Sequence, residues 1–425
     1  MSQRHRPAHP SRPASRSLHC VFVVTALGCL HAAARAGDGG LPAWTFGGFG
    51  TVSAVHSTEK LADYTASPLS PGQAGYGKRW AVDVDTRLGA QLGVQLDKRW
   101  SAVVQVVSER NVEHNYKPEV EWANVKYQAT PDLSLRLGRI ALPLYLAADY
   151  RKASYALPWV RPPVELYSTM PISNSDGFDA SYRWNLAGTK QTTQVFFGGT
   201  SIRLARDFDA KAKRMMGLTQ RATAGALTLQ ATAASAIFQV PSGGELFDVL
   251  SMFGPTGQAL ADRYDIRSKR VSVFSAGFNY DPGAWFVTGE IGRTNTRSLL
   301  GDQTASYLSG GYRFGTLTPY LTVSSVHANM DVQVPGLPTA GLPPQAAALA
   351  LQANAVLNDF LREVPTQHAV SAGVRWDAGS NYALKLQVER ARPHDGSSGT
   401  LMNAQPGYQS GKAFNVISLS ADFVF

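Results

Sequence analysis

Apolar and polar residues alternate over long stretches of this chain. The clearest case is VDVDTRLGAQLGVQL, residues 82–96, in which every second side chain is apolar or small and most of the others are polar. A period of two predicts a β-strand with one apolar face and one polar face. Which face meets water depends on the fold. A soluble protein buries the apolar face in its core, whereas a membrane barrel turns it towards lipid.

Sixteen segments of this kind follow one another from Trp44 onward. Several are close to the 9–11 residues with which a tilted strand crosses a bilayer. Residues 213–238 are rich in alanine, so a helix is an alternative there. The predicted strands are residues 44–56, 80–96, 100–110, 119–129, 133–139, 174–184, 192–200, 213–222, 226–238, 270–280, 285–295, 305–314, 317–327, 367–376, 382–391 and 413–425.

The connections between these segments alternate in length, which sorts them onto two sides of the fold. The short ones carry the Asp, Pro and Gly residues that tight turns favour. They are residues 97–99, 130–132, 281–284, 315–316 and 377–380. The long ones are residues 57–79, 140–173, 239–269, 328–366 and 392–412. Short periplasmic turns opposite long extracellular loops are typical of a transmembrane β-barrel.

Tryptophans lie beside the short turns. Trp100, Trp285 and Trp376 each flank one of them, and Trp184 lies beside the short connection at residues 185–191. Because amphipathic rings are stable at the level of lipid headgroups, this placement predicts an aromatic girdle at one membrane interface. In the alternative interpretation these rings belong to the core of a soluble β protein.

A barrel determines the orientation of every alternating side chain. The apolar face lies against lipid, the polar face lines the lumen, and the sheet closes so that backbone groups are paired. Sixteen strands enclose an aqueous channel rather than a packed interior. The predicted fold is therefore an all-β, transmembrane antiparallel barrel of about 16 strands. Its expected lumen wall contains Asp83, Asp85, Arg87, Gln91, Gln95, Arg136, Arg183, Glu290, Arg313, Ser371, Arg375, Lys385, Gln387 and Glu389.

The first 36 residues have the composition of a signal peptide. Several arginines precede an apolar stretch at residues 20–30, and Ala34-Arg35-Ala36 forms a cleavage site before Gly37. A buried helix and a lipoprotein signal at Cys29 are the alternatives. The expected organisation is a signal peptide at residues 1–36 and a barrel at residues 37–425.

Removal of this leader changes the composition of the chain. Cys20 and Cys29 both lie within it, so the remainder has neither a thiol nor a disulfide. The leader also holds five arginines and no acidic residue, so the formal net charge falls from +9 to 35 − 31 = +4. Such a small excess gives little support to nucleic-acid binding.

The last segment, FNVISLSADFVF, ends on Phe425 and places Leu419, Ala421 and Phe423 on one face. With LRLGRIALP at residues 135–143, the leader and the sixteen segments, it resembles the Gram-negative outer-membrane porins. The resemblance implies an outer-membrane location, a homotrimer and a lumen-folded loop at residues 140–173, in the role of the family's third loop. The Pro-Glu-Phe-Gly-Gly motif of enterobacterial general porins is absent from this loop, which indicates a divergent constriction.

Charged residues of the wall and of this loop are the candidate pore-lining and constriction residues. Asp149 and Glu165 of the loop are expected to oppose a basic wall. In the alternative, each charge belongs to a lumen salt bridge that only stiffens the wall. The wall candidates are Arg87, Arg136, Arg139, Arg183, Arg313 and Arg375, and the loop candidates are Asp149, Arg151, Lys152, Arg161, Glu165 and Tyr167.

The expected function is passive diffusion of small hydrophilic solutes or ions across the outer membrane, with membrane lipid and the solutes as partners. A substrate-specific channel for anions or carboxylates and a plugged, non-conducting structural barrel are the alternatives. The sequence contains no recognisable catalytic pair, metal-ligand spacing or cofactor motif, so neither an enzyme nor a cofactor is predicted.

Two long connections contain helical patterns. Residues 344–364 begin with a proline and end before another, with apolar residues at roughly helical spacing. Residues 244–264 are a weaker case. These helices would cover the pore mouth, plug the channel or pack outside it.

Overall fold

The computed structural model describes residues 42–205, 208–240 and 244–425. The predicted signal peptide, residues 1–36, lies outside the described residues together with Cys20 and Cys29. Sixteen strands form one closed barrel. They are β1 (Ala43–Ser57), β2 (Arg87–Gln95), β3 (Trp100–Glu109), β4 (Glu119–Gln128), β5 (Leu133–Ala141), β6 (Asn174–Leu186), β7 (Thr189–Ala205), β8 (Phe208–Ala224), β9 (Leu227–Gln239), β10 (Ser268–Tyr280), β11 (Trp285–Asn295), β12 (Gln303–Tyr312), β13 (Leu317–Ala328), β14 (Gln367–Trp376), β15 (Tyr382–Pro393) and β16 (Phe414–Val424).

Each strand pairs antiparallel with its neighbour in the chain, and β16 closes the ring by pairing with β1. At this closure the Gly48 N–H donates to the Phe425 carbonyl (2.9 Å), and the Phe425 N–H donates to the Gly48 carbonyl (3.1 Å). A closed sheet has no unpaired edge strand, as a sheet surrounded by lipid requires.

The side chains of β15 alternate in exposure along the whole strand. Leu386 and Val388 point outward and are 40% and 47% exposed, whereas the inward-facing Lys385, Gln387 and Glu389 are buried. Apolar residues outside and polar residues inside are the reverse of a soluble protein and match a barrel in lipid. The predicted fold class is confirmed.

The alanine-rich residues 213–238 form most of β8 and β9 and are not helical. On β9, Gln230 and Thr232 are buried on the lumen side, while Ala231 and Ala233 are exposed on the outside. Hydrogen bonds to strands on both sides outweigh the helix propensity of alanine.

The second strand begins later than its alternating pattern predicts, at residue 87 rather than residue 80. The preceding segment is held inward by ion pairs. Asp83 pairs with Arg110 (2.8 Å), and Asp85 pairs with Arg161 (2.6 Å). The partners lie 27 and 76 residues further along the chain. A local alternating pattern carries no information about such distant contacts.

The remaining short elements occur in the long connections. Three two-residue strands, Asp63–Tyr64, Ala74–Gly75 and Leu401–Met402, form a small sheet. The helices are α1 (Val164–Tyr167), α2 (Glu245–Ser251), α3 (Gly254–Tyr264) and α4 (Pro344–Arg362), with a 3-10 turn at Ser154–Ala156.

The helices α2, α3 and α4 pack against one another at the end of the barrel that carries the long loops, called here the long-loop end. Their shared apolar cluster contains Phe247, Leu250, Leu357 and Leu361. The short α1 instead contacts β12 and β13 from inside the barrel. No helix within the described residues is long and apolar enough to cross a membrane.

Candidate pore and lumen loop

Residues 142–173, which connect β5 to β6, cross the inside of the barrel and are called the lumen loop here. Near its start, the Pro143 carbonyl accepts hydrogen bonds from the hydroxyls of Thr219 (3.2 Å) and Thr232 (3.0 Å) on β8 and β9. Further along, the Trp159 indole N–H donates to Ser309 Oγ on β12 (2.8 Å). The loop is therefore attached to widely separated strands.

Apolar side chains of the lumen loop bury themselves against inward-facing aromatic residues of the wall. Tyr145 and Trp159 pack in one cluster with Phe286, Tyr307 and Tyr320 of the wall. Burial of this apolar surface favours the folded-in conformation of the loop. Prolines at positions 158, 162 and 163 reduce the number of conformations that the free loop has to give up. The cluster lies against β7, β8 and β11–β13.

Glu290 on β11 anchors the two ends of the lumen loop. Its carboxylate accepts hydrogen bonds from the Tyr167 hydroxyl (2.6 Å), the Tyr307 hydroxyl (2.8 Å) and the Leu146 backbone N–H (2.7 Å). A buried carboxylate costs free energy unless such donors surround it. The three donors come from both ends of the loop and from the wall, so Glu290 joins these elements.

Arg161 fixes the middle of the lumen loop to the opposite wall. Its guanidinium binds both carboxylate oxygens of Asp85 (2.8 and 2.6 Å) and donates to Ser418 Oγ (2.8 Å) and the Tyr64 hydroxyl (3.2 Å). Arg161 is only 3% exposed. A planar guanidinium suits this two-point contact with a carboxylate.

Glu165 is buried, and its hydrogen-bond donors are neutral polar groups. Its carboxylate accepts hydrogen bonds from Ser324 Oγ on β13 (2.7 Å) and from the Gln367 amide on β14 (2.7 Å). The structure thus places this acid against a hydroxyl and an amide rather than against a row of arginines.

A cavity of about 230 Å³ remains between the lumen loop, β2–β5 and the neighbouring long connections, and is called the basic cavity here. Within it, Lys152 forms ion pairs with Glu109 (2.8 Å) and Glu121 (2.7 Å). Arg151 donates instead to the carbonyls of Met170 (3.3 Å) and Pro171 (2.5 Å). Basic lining residues outnumber acidic ones: Arg87, Arg110, Lys117, Arg139, Arg151, Lys152, Arg161 and Arg203 against Glu109, Glu119 and Glu121.

Solved structures share this architecture, although no protein-family model and no curated protein matches the sequence. The anion-selective porin of Comamonas acidovorans aligns over 90% of this chain and 100% of its own, with a TM-score of 0.52 and 14% identity. The outer membrane channel DcaP of Acinetobacter baumannii aligns over 91% and 98%, with a TM-score of 0.53 and 11% identity. OmpT of Vibrio cholerae, in a structure described as the trimer form, aligns over 91% and 100%, with a TM-score of 0.50 and 12% identity.

This chain has the porin fold. Identities of this size establish the fold and leave the solute to be argued from the site itself.

Within the porin fold, three of the predicted wall arginines lie on the same side of the lumen. Arg87 forms an ion pair with Glu109 at the basic cavity (3.6 Å). Arg136 pairs with Asp179 (2.6 Å), and Arg183 donates to the Pro131 carbonyl near a short turn. Asp149 of the lumen loop is half-buried, and its charge acts on the Arg136 guanidinium.

The other predicted wall arginines lie elsewhere. Arg313 pairs with Asp281 at the short-turn end of the barrel (2.7 Å). Arg375 pairs with Asp377 (2.7 Å) and donates to the Leu157 carbonyl, so it contacts the lumen loop from the short-turn end of the barrel. The six arginines therefore do not form one continuous wall.

Arg139 follows Leu135 and Leu137 on the outward-facing phase of β5. Its guanidinium pairs with Asp176 on β6 (2.7 Å) and donates to the Val120 carbonyl on β4 (3.0 Å). The β4–β5 pairing ends at Arg139, at the long-loop end of β5. It reaches the rim of the basic cavity from the outer side of the wall.

Some residues of the site were not among the sequence candidates. Glu109 occupies an inward position on β3, so alternation could have identified it. Glu121 lies at a register shift opposite Gln105 and Val106, where one strand holds an extra residue. Such a bulge shifts the inward and outward phases, so simple alternation fails there.

Proposed function

We propose that this chain is an outer-membrane porin, a passive channel for small hydrophilic solutes. The observation that carries the proposal is a closed barrel with an apolar outer face whose lumen is narrowed by a loop fixed to the wall on several sides. Permeation through such a barrel requires no chemical step. Solutes diffuse through water, and the narrow region selects by size and charge.

The basic cavity supports a preference for small anions. Lys152 forms ion pairs with Glu109 and Glu121, and Arg151 donates to two backbone carbonyls. Because Arg87, Arg151 and Lys152 share these two carboxylates, the group keeps an excess of positive charge. Nearer the short turns, Lys126, Arg136 and Arg183 lie on the same side of the lumen, where Asp179 pairs with Arg136 and leaves an excess of positive charge. An anion would meet favourable potential at both levels.

A homotrimer is part of the proposal. Outward-facing residues on β2–β4 include the small Ala90, Ala102 and Ala123, which lie among larger exposed apolar side chains such as Leu92 and Val104. An apolar wall with small side chains allows close contact between identical subunits around a closed symmetry axis. The V. cholerae OmpT structure described as a trimer form shares the fold.

The test is single-channel conductance of the purified protein in a planar bilayer under a KCl gradient. We expect open channels with a reversal potential on the anion side. Arg151→Gln should shift the reversal potential towards cations, because it removes one positive charge from the basic cavity. The matched control is Arg362→Gln, which removes an arginine from the exposed face of α4.

The outcomes separate the proposal from its alternatives. Absence of conductance from correctly folded protein would favour the plugged barrel, for which the apolar cluster of the lumen loop is the supporting observation. A current that saturates with one carboxylate solute would favour a substrate-specific channel. An unchanged reversal potential in Arg151→Gln would remove Arg151 from the permeation path.

A further inference from the structure

Positively charged side chains lie on the outer face of the barrel near its long-loop end. Each is exposed and occupies the outward-facing phase of its strand, beyond the exposed apolar residues of the same wall. They are Lys211, Lys213, Arg270, Arg293, Arg390 and Arg392. The opposite end of the outer face carries exposed aromatic rings instead, such as those of Trp285, Trp376 and Tyr382. The two rims of the apolar band therefore differ in charge.

The position of Arg390 and Arg392 matches the height of a membrane. Tyr382, at the first position of β15, marks the aromatic rim, and Arg392 lies ten positions further along the same face. At about 3.3 Å per residue and a strand tilt of about 40°, ten residues rise about 25 Å, which is the height of the apolar band of such barrels. The two arginines thus lie at the level of the other layer of headgroups.

These arginines border a groove of about 440 Å³ on the outer surface. His368 lies opposite Arg392, and Val370 lies opposite Arg390, on the adjacent β14. Gly411 and Ala413, which precede β16, form the other side of the groove. The groove is therefore basic towards the long-loop end and apolar towards the middle of the wall, where Val370 and Val388 are exposed.

The two guanidinium groups are held in place without being neutralised. The Arg392 Nε–H donates to the Gly411 carbonyl (2.8 Å), and Arg390 donates to Asn415 Oδ1 (3.4 Å). Neither has an ion-pair partner among residues 42–205, 208–240 and 244–425, whereas Arg313 and Arg375 each pair with an aspartate. Each guanidinium carries five N–H donors, so most of them remain available to an anion.

We propose that this groove binds a phosphate group on the headgroup of an outer-leaflet lipid, with the lipid acyl chains lying on Val370 and Val388. Paired guanidinium groups fit phosphate oxygens through two-point contacts. Basic pockets at the membrane surface recognise phosphorylated headgroups by the same chemistry. A phosphorylated glycolipid supplies both the anion and the apolar chains that the groove accommodates. This site is separate from the lumen and does not depend on conduction.

The test is native mass spectrometry of the detergent-solubilised full chain titrated with diphosphorylated lipid A. We expect the wild-type protein to retain the lipid and Arg390→Gln/Arg392→Gln to bind at least about tenfold more weakly, equivalent to about 1.4 kcal/mol. Arg362→Gln on α4 removes an exposed arginine away from the barrel wall and should bind as the wild type does. An unchanged urea unfolding midpoint in the double variant would show that its barrel is intact.

Two comparisons identify the chemistry that is recognised. Lipid A without its phosphates should bind weakly to the wild-type protein, and equal binding of both lipids would overturn the proposal. Inorganic phosphate alone should compete poorly, because it lacks the acyl chains. If it displaced the lipid at equal concentration, the groove would be a site for free phosphate. Unchanged lipid binding in the double variant would also overturn the assignment.

Discussion

Several buried charges in this barrel lie against groups of complementary charge or polarity. Arg161 meets Asp85, Lys385 meets Asp422, and Glu290 meets three hydrogen-bond donors. Several of these groups connect the lumen loop to the wall. An unpaired charge in the same place would lose its hydration without compensation, so each pair holds the loop in position.

At the scale of single residues, we expect Arg161→Met to destabilise the protein strongly. The substitution leaves Asp85 buried and unpaired, which typically costs about 3–5 kcal/mol. Asp85→Leu/Arg161→Met should recover much of this loss, because both charges are then absent. Urea unfolding in detergent micelles, followed by tryptophan fluorescence, measures both variants. A double variant no more stable than Arg161→Met would contradict this account of the pair.

These contacts show which roles of single residues can be predicted from the sequence and which cannot. Alternation places Lys385, Gln387 and Glu389 on the lumen face, where the structure has them. It does not reveal that Asp85 meets Arg161, or that Glu165 meets Ser324 and Gln367. Those partners depend on the path of the lumen loop, and that path depends on packing across the whole lumen.

At the scale of elements, the strands are defined by alternation and the closure is defined by small residues. Gly48 on β1 lies under the ring of Phe425 and beside the backbone of Gly89 on β2. Aromatic side chains at the end of the chain therefore cover the seam where the first and last strands meet. This seam needs a residue without a side chain at that position.

We expect Gly48→Ala to weaken the closed barrel. A Cβ atom at this position would lie 2.3 Å from the Phe425 ring and 2.5 Å from the Gly89 carbonyl oxygen. Overpacking of this kind costs about 1–3 kcal/mol. Gly310→Ala is the matched control, since its Cβ would meet its nearest atom at 3.5 Å. The urea midpoint of each variant measures the effect, and equal midpoints would show that the seam adjusts freely.

At the scale of the whole molecule, the outer surface divides into sectors. The sector formed by β2–β4 is apolar and includes the small Ala90, Ala102 and Ala123, whereas the exposed arginines and lysines of the long-loop rim lie on β8, β10, β11 and β15. A surface that contacts another subunit benefits from small apolar side chains, and a surface that contacts lipid headgroups benefits from positive charge. The two sectors therefore suit the proposed trimer interface and the proposed lipid site.

Ala90→Trp should dissociate the proposed trimer into monomers, because a bulky ring among the small residues of β2–β4 prevents close contact between subunits. Ala231→Trp places the same ring on the outward face of β9, outside this sector, and should leave the oligomer intact. Size-exclusion chromatography with light scattering in detergent gives the mass of each. A monomeric wild-type protein, or an Ala90→Trp trimer, would exclude this interface.

The strands and their inward and outward faces could be predicted from the chain alone, because a period of two is a local property of the backbone. The sorting of turns and loops to opposite ends followed from local turn chemistry as well. The start of β2, the bulge at Glu121 and the partners of the lumen loop required the folded structure. They arise from ion pairs and apolar contacts between residues far apart in sequence, which only a closed barrel brings within reach.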